Sequence, residues 1–319
     1  MLRLFLFYIF GISPGLCQNL IPISDKAYLQ TPKGQWTLDW NANDLLASGG
    51  DDSLVRIYNA INLKLIKVYK TNGMIRQVRW HPNEALLLVS GVTISVLNLV
   101  TNKSIPLQNV KYGARAIDWS YDGEHIAAAD GNGTVHIWNR EGFKENILLG
   151  NDQKSYLSLD WHPHQNLILT GGEDIRIFKI ETGLQKAIKH RTEATGVLVV
   201  RWHPSGKFFV IGDYGHHDEG IESLIQFWSP EGNLLKTIRA SKKEYRTLAW
   251  SYDGKLLATS GDALRIWNES GELIFEDKSG TSNDIWGMAW NRINTKLACI
   301  DFDGNLKIWS AKNWKLVNQ

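Results

Sequence analysis

The sequence predicts an all-β fold, a seven-bladed β-propeller of four-stranded antiparallel blades. Three observations carry this prediction. The chain of 319 residues contains 14 tryptophans, against only eight prolines and three methionines. Seven of the tryptophans follow one another at spacings of 40, 39, 42, 41, 48 and 40 residues, a period typical of propeller blades. Each of the seven ends a short run in which apolar residues alternate with other residues, which indicates a strand buried on one face.

The repeat unit begins with the strand that ends at this anchor tryptophan. The anchors are Trp40, Trp80, Trp119, Trp161, Trp202, Trp250 and Trp290. Five of them precede a His-Pro or a Ser-Tyr-Asp-Gly sequence, both of which favour turns. A second apolar strand and a third strand follow, and the third strand ends on Tyr58, Leu97, Trp138, Phe178, Trp228, Trp267 or Trp309. A more polar fourth strand closes most units, so four antiparallel strands are expected in each.

These features resemble the WD40-repeat family over residues 36–319. The unit length, the turn after each anchor, the Asp-Gly-Asn-Gly turn at 130–133 and the Ile-Trp-Asn or Ile-Trp-Ser endings carry the resemblance. Two features depart from it: the Gly-His opening is missing from every unit, and the Trp-Asp ending is replaced. The resemblance implies a rigid platform for proteins or peptides. The departures imply that the family's His–Asp hydrogen-bond chain is absent and that tryptophan packing stabilises the blades instead.

The first 17 residues have the layout of a secretory signal peptide. Arg3 precedes a nine-residue apolar run, and small residues at Gly15 and Cys17 offer a cleavage site before Gln18. The alternatives are a buried hydrophobic strand or an uncleaved anchor. Cleavage predicts a secreted or periplasmic protein, and its absence a cytoplasmic one. Residues 18–35 form an N-terminal segment in which 27–30 is a candidate for the strand that closes the ring; residues 314–317 are the other candidate.

Composition excludes several classes of function. The net charge of +2 gives no electrostatic argument for nucleic acid, and no later segment has the length to insert the mature chain into a membrane. Two cysteines do not make a disulfide scaffold. The sequence has no nucleophile elbow, no phosphate-binding glycine loop and no HExxH motif. We therefore expect a non-enzymatic protein with no catalytic residues, no metal and no cofactor.

The candidate binding residues occupy one position of the repeat, four residues before the anchor. Trp36 and Trp286 stand there in blades 1 and 7, which are neighbours in a closed ring. Arg76, Arg115 and Arg246 hold the same position in other blades. Tryptophan and arginine are enriched in interface hot spots, so these residues predict a rim that binds a protein or peptide partner, favouring a partly acidic one. The alternative is that they pack between blades or fill the channel mouth, because this position shares its parity with the core-facing residues.

A second candidate is the long turn at residues 212–223, which explains the 48-residue spacing. His216 and His217 lie in it beside two acidic residues, but adjacent residues rarely converge on one metal ion. A solvated, flexible recognition loop is therefore the preferred interpretation. Two other functions stay open: a secreted small-ligand or glycan binder stacking on Trp36 and Trp286, and a metal-assisted propeller enzyme.

Overall fold

The computed structural model describes residues 20–21, 32–107, 114–150, 154–191, 195–278 and 285–317. It confirms the predicted all-β, seven-bladed propeller. The proposed closing strand at 27–30 and the predicted signal peptide lie outside these residues. In the described part of the chain, no helix has the length and apolar character that crossing a membrane requires.

Each blade is an antiparallel sheet whose strands follow chain order from the central channel outwards. Blade 1 contains β2 (Gln35–Trp40), β3 (Leu45–Gly50), β4 (Leu54–Asn59) and β5 (Leu65–Lys70), and the two-residue β1 (Leu20–Ile21) pairs with the outer edge of β5. Blade 2 contains β6 (Ile75–Trp80), β7 (Leu86–Gly91), β8 (Ile94–Asn98) and β9 (Lys103–Pro106). Blade 3 contains β10 (Ala116–Trp119), β11 (His125–Ala129), β12 (Thr134–Asn139) and β13 (Lys144–Leu149).

The remaining blades repeat this order. Blade 4 contains β14 (Tyr156–Trp161), β15 (Leu167–Gly172), β16 (Ile175–Lys179) and β17 (Gly183–Ile188). Blade 5 contains β18 (Val197–Trp202), β19 (Phe209–Asp213), β20 (Ser223–Trp228) and β21 (Leu234–Ser241). Blade 6 contains β22 (Leu248–Trp250), β23 (Leu256–Thr259), β24 (Leu264–Asn268) and β25 (Leu273–Asp277). Blade 7 contains β26 (Ile285–Trp290), β27 (Lys296–Asp301) and β28 (Leu306–Ser310).

The C-terminal segment occupies the fourth position of blade 7. Leu316 forms an isolated antiparallel bridge with Trp309, and the Val317 amide donates a hydrogen bond of 2.7 Å to the Ile308 carbonyl. Trp314 stacks on Phe275 of blade 6, with ring centroids 5.4 Å apart. This segment therefore completes blade 7, as proposed for the second of the two candidate segments.

The hydrophobic core is divided among the seven interfaces between neighbouring blades. All seven anchor tryptophans are at most 9% exposed. Each of the seven buried clusters draws its residues from two adjacent blades; the one that joins blades 7 and 1 contains Ile300 together with Leu38 and Trp40. Because alternate residues of every inner strand point into such an interface, the blades stabilise one another.

Buried ion pairs also stabilise the blades, which the sequence interpretation did not foresee. In three blades an aspartate in the turn before the third strand pairs with an arginine on that strand: Asp52–Arg56 at 2.6 Å, Asp174–Arg176 at 2.9 Å and Asp262–Arg265 at 2.7 Å. In blade 3 the corresponding Asp130 lies 3.0 Å from Nε2 of His136. In blade 5, His190 and Arg191 both approach Asp213, at 3.7 and 3.2 Å. Tryptophan packing is thus supplemented by carboxylate pairs inside the blades.

A binding surface at the mouth of the channel

β-Bulges place the candidate rim residues in the channel. In blade 1, Gln35 pairs with Gly50 and Thr37 pairs with Gly49, so Trp36 is an extra residue with no partner in the register. Arg76, Leu157, Leu198 and Trp286 are the extra residues of the same bulge in blades 2, 4, 5 and 7. A bulge re-aims the side chain of its extra residue. The bulge therefore interrupts the alternation at this position. The argument that the position shares the parity of the core-facing residues no longer applies to it.

The two rim tryptophans are in contact across the junction of blades 7 and 1. The rings of Trp36 and Trp286 have centroids 4.4 Å apart with an interplanar angle of 67°, and both side chains are half-buried. Phe302 packs beside both rings, at 6.5 and 5.9 Å. The Trp36 Nε1–H donates a hydrogen bond of 2.7 Å to Asp51. The pair is therefore held in place on its inner side and open to solvent on its outer side.

Guanidinium groups stack on both indoles. The Cζ atom of Arg76 lies 4.8 Å from the ring centre of Trp36, and that of Arg246 lies 3.8 Å from the ring centre of Trp286. Such cation–π contacts hold arginine side chains in one orientation. The result is a continuous row of cation, indole, indole and cation along the rim.

The three rim arginines differ in whether a carboxylate pairs with them. Arg246 forms an ion pair with Glu244 on the preceding connection. No carboxylate among the described residues pairs with Arg76 or Arg115. Protein atoms crowded around Arg115, and secondarily the like charge of Arg76, lower the pKa of Arg115. Arginine stays charged in proteins, so these are two positive charges at the mouth without a carboxylate partner in the described ranges.

The rim residues surround a pocket of about 100 Å³ at the mouth. Trp36, Arg76, Arg115, Arg246 and Trp286 all line it. The sequence interpretation did not select two more lining residues, Leu157 and Leu198, which occupy the same repeat position in blades 4 and 5. Both leucines are half-buried. The surface therefore combines a cationic, aromatic side with an aliphatic side.

Deeper in the channel lies a cluster of five charges that the sequence interpretation missed. They stand immediately before the anchors of the first five blades: Asp39, Arg79, Asp118, Asp160 and Arg201. The Arg79–Asp118 contact is 4.0 Å and the Arg201–Asp160 contact is 3.6 Å. Burial raises the pKa of Asp160 to about 7, although Arg201 opposes the shift. The polar residue before most anchors was the available signal, since alternation directs it away from the core and into the channel.

Carboxylates of this cluster also join the inner strands of successive blades. Asp39 accepts the backbone N–H of Trp80 at 2.7 Å, and Asp160 accepts that of Trp202 at 2.7 Å. Asp118 accepts the N–H of Trp161 at 2.8 Å. Because every bond runs from one blade to the next, the charged cluster belongs to the scaffold of the ring.

The two loop histidines do not reach the rim pocket. The turn between β19 and β20 contains a one-turn 3₁₀ helix, His217–Glu219, and His216 pairs with Ile221 in an antiparallel bridge. His217 Nε2 lies 3.1 Å from the Ser223 hydroxyl. The loop borders a separate cavity of about 220 Å³ together with Lys243 and Glu244. In the described part of the chain, His, Cys, Asp and Glu side chains form no group of three or more able to hold a metal ion.

The histidines of the His-Pro turns, interpreted from sequence as turn residues only, also connect blades. Nε2 of His81 lies 3.1 Å from the carbonyl of Gly123 in the next blade, while its Nδ1 accepts the amide of Asn83. His162 and His203 make the same contact with the carbonyls of Gly206 and Gly254. These bonds require a neutral ring with the proton on Nε2.

Comparison with known proteins supports the repeat assignment. The WD40 family model, described as WD domain, G-beta repeat, matches residues 109–139 and 232–268. The chain is 22% identical over 213 residues to Cell division cycle 20.1, cofactor of APC complex, of Arabidopsis thaliana, covering 62% of this chain and 44% of that protein. It is 22% identical over 207 residues to Intraflagellar transport protein 80 homolog of Mus musculus, covering 62% and 25%. It is 23% identical over 263 residues to WD repeat-containing protein AAC3 of Dictyostelium discoideum, covering 72% and 54%.

The chain spans between 25% and 54% of the length of these relatives. The matches therefore cover only part of these proteins. The seven blades, the two repeats that the family model matches and the similarity to WD-repeat proteins show a propeller that contains WD40-type repeats, which lack the Gly-His opening and the strict Trp-Asp ending.

Proposed function

We propose that the protein is a non-catalytic scaffold that binds a protein or peptide, partly acidic, at the channel mouth. The observation that carries the proposal is the row of Arg76, Trp36, Trp286 and Arg246, stacked on one another and half-exposed. Burying an indole in a partner removes a large apolar area from water, and a guanidinium adds paired hydrogen bonds to a carboxylate. The names of the relatives, a cofactor of a complex and a transport protein, agree with a scaffold role.

The same stacking disfavours the glycan-binding alternative. A sugar ring binds by lying flat on an aromatic face, and an arginine already covers one face of each indole. The edge of the neighbouring tryptophan meets Trp36 as well. A sugar would have to displace these contacts, whereas a carboxylate would add to them.

Affinity capture from the fractions of the producing cell tests the proposal. The wild type is compared with a Trp36→Ala/Trp286→Ala/Arg246→Ala variant. A matched control, Phe143→Ala/Ile293→Ala/Arg239→Ala, removes an aromatic, an aliphatic and an arginine side chain that are more than 60% exposed elsewhere. We expect a partner that the wild type and the control retain and the rim variant loses. Equal capture by all three folded proteins would show that the rim residues only pack.

The compartment determines which partners the scaffold meets. We propose export with removal of residues 1–17, based on the signal-peptide layout alone. Sequencing of the N-terminus of the protein from its own cell would then begin at Gln18. A protein that begins at Met1 would overturn this part of the proposal.

A further inference from the structure

The channel mouth has a cationic, aromatic side and an aliphatic side, and this division narrows the class of ligand that fits it. In ring order from blade 1 to blade 7, the position four residues before the anchor holds Trp36, Arg76, Arg115, Leu157, Leu198, Arg246 and Trp286. The two leucines are adjacent, and an arginine stands on either side of them. An apolar group seated against the leucines is therefore within one blade of a cationic side chain in both directions.

The pocket has the volume of a single aliphatic side chain. Its 100 Å³ is smaller than the roughly 150 Å³ of a cavity that holds benzene, and it therefore admits about four or five carbon atoms. Leucine, isoleucine and valine side chains have about this size. The side chain of Leu157 lies beside the next blade, since a Cβ atom placed on Gly196 would be 3.8 Å from its Cδ1 atom. Both leucines are half-buried, so part of each aliphatic side chain remains accessible in the pocket.

Arg76 and Arg115, which pair with no carboxylate among the described residues, determine the second requirement. Arg76 is held on the Trp36 ring, and Arg115 lines the pocket at the same position of the next blade. Arginine presents a planar set of donors that matches the two oxygens of a carboxylate. An anion bound here would also relieve the repulsion between the two like charges.

We propose that the channel mouth is a socket for one aliphatic side chain of a partner peptide together with a carboxylate on the same or an adjacent residue. This inference rests on the proposed function and names the group that the scaffold recognises. The carboxylate has two sources, the free C-terminus of the peptide or a neighbouring aspartate or glutamate. Aliphatic contact alone would not distinguish the mouth from other half-buried leucines, so the proposal requires both groups.

Fluorescence anisotropy with four labelled hexapeptides tests the inference on the full chain. The first ends in leucine with a free carboxylate, and the second is its C-terminal amide. The third is that amide with aspartate before the leucine, and the fourth ends in glycine with a free carboxylate. We expect the first or the third peptide to bind about tenfold or more tightly than the second, since hydrogen bonds to a charged group are stronger than neutral ones. We expect the fourth to bind more weakly than the first.

Two variants separate the groups. Arg76→Gln/Arg115→Gln should abolish the advantage of the carboxylate and leave the preference for leucine over glycine. Leu157→Ser/Leu198→Ser should abolish the preference for leucine over glycine and leave the advantage of the carboxylate. The exposed Leu235 and Arg239, on the outer strand of blade 5, provide the control Leu235→Ser/Arg239→Gln, which should behave as the wild type. A thermal melt of each protein checks that it is folded.

Several results would overturn the inference. Equal affinity for the amide and the carboxylate peptides would remove the anion requirement. Equal affinity for leucine and glycine would remove the aliphatic one, and no binding at about 1 mM peptide would remove both. In each case a captured partner that depends on Trp36 and Trp286 would still support the scaffold function, so the two proposals fail separately.

Discussion

Replacement of Gly287 by alanine should weaken the junction of blades 7 and 1. Gly287 follows Trp286 in the inner strand of blade 7. A Cβ atom placed on it would lie 2.5 Å from the Leu38 backbone nitrogen and 2.8 Å from the Thr37 carbonyl carbon. Ordinary contacts need about 3.5 Å, so the two inner strands would have to separate by about 1 Å.

The expected loss of stability depends on which atoms the new Cβ atom would contact. Overpacking a tight interface costs about 1–3 kcal/mol, and here backbone atoms, which cannot rotate away, lie in contact. We expect a loss of about 2–3 kcal/mol in the free energy of unfolding and a fall in Tm of about 5 °C. Urea and thermal unfolding measure both. Separation of the strands should also alter the Trp36–Trp286 contact and hence near-ultraviolet circular dichroism.

Gly196 provides a matched control for this substitution. A Cβ atom on Gly196 would meet nothing nearer than 3.8 Å, and its backbone does not need the left-handed region. Gly196→Ala should therefore change the stability by less than about 0.5 kcal/mol. If Gly287→Ala is as stable as Gly196→Ala, the close approach of the two inner strands does not hold the ring closed and the reasoning is refuted.

Three further predictions concern buried charges. Asp174→Ala leaves Arg176 without its carboxylate and should cost about 3 kcal/mol in urea unfolding; the double variant Asp174→Ala/Arg176→Met should recover most of this loss, and no recovery would contradict the ion-pair account. Burial lowers the pKa of His81 and His162, so their contribution to stability is complete above about pH 6.5 and is lost as the pH falls below it. The stability difference between the wild type and His81→Gln/His162→Gln should shrink from pH 7.5 to 5.5, and a constant difference would argue against it. The raised pKa of Asp160, about 7, has the opposite sign: relative to Asp160→Asn, the wild type should gain stability as the pH falls through 7 towards the unfolded value near 4, and parallel pH profiles would refute the shift.

Sequence reasoning succeeded where one period determines the structure. The anchor spacing and the alternation before each tryptophan are enough to predict seven blades, because both depend only on distance along the chain. Ring closure then brings the first and last units together, which is why Trp36 and Trp286 could be considered as a pair. No knowledge of side-chain geometry entered that step.

Reasoning failed where a local irregularity interrupts the alternation. The bulge adds one residue to the inner strand, so counting by twos assigned Trp36 and Trp286 the parity of core residues although they line the channel. The amino-acid sequence of a short strand has no feature that identifies a bulge. Leu157 and Leu198, which hold the same repeat position, were not selected as binding residues because leucine in a strand normally indicates the core.

The bonds between blades could have been found by comparing neighbouring units. Histidine follows the anchor in blades 2, 4 and 5, and glycine stands four residues after the anchor in blades 3, 5 and 6. The glycine is therefore always in the unit after the histidine. Gly123, Gly206 and Gly254 all have positive φ angles, and a Cβ on any of them would collide with the histidine ring of the preceding blade.

The bulge at the start of the inner strands has a consequence for how this surface can vary. A bulged residue belongs to neither face of its sheet, so its identity is independent of the packing that holds the blades together. The five bulged residues at the mouth, Trp36, Arg76, Leu157, Leu198 and Trp286, can therefore be exchanged singly with little effect on the packing between blades. The same ring can present a different combination of these five residues to each new partner, and a library randomised at these positions alone would vary recognition without varying the fold.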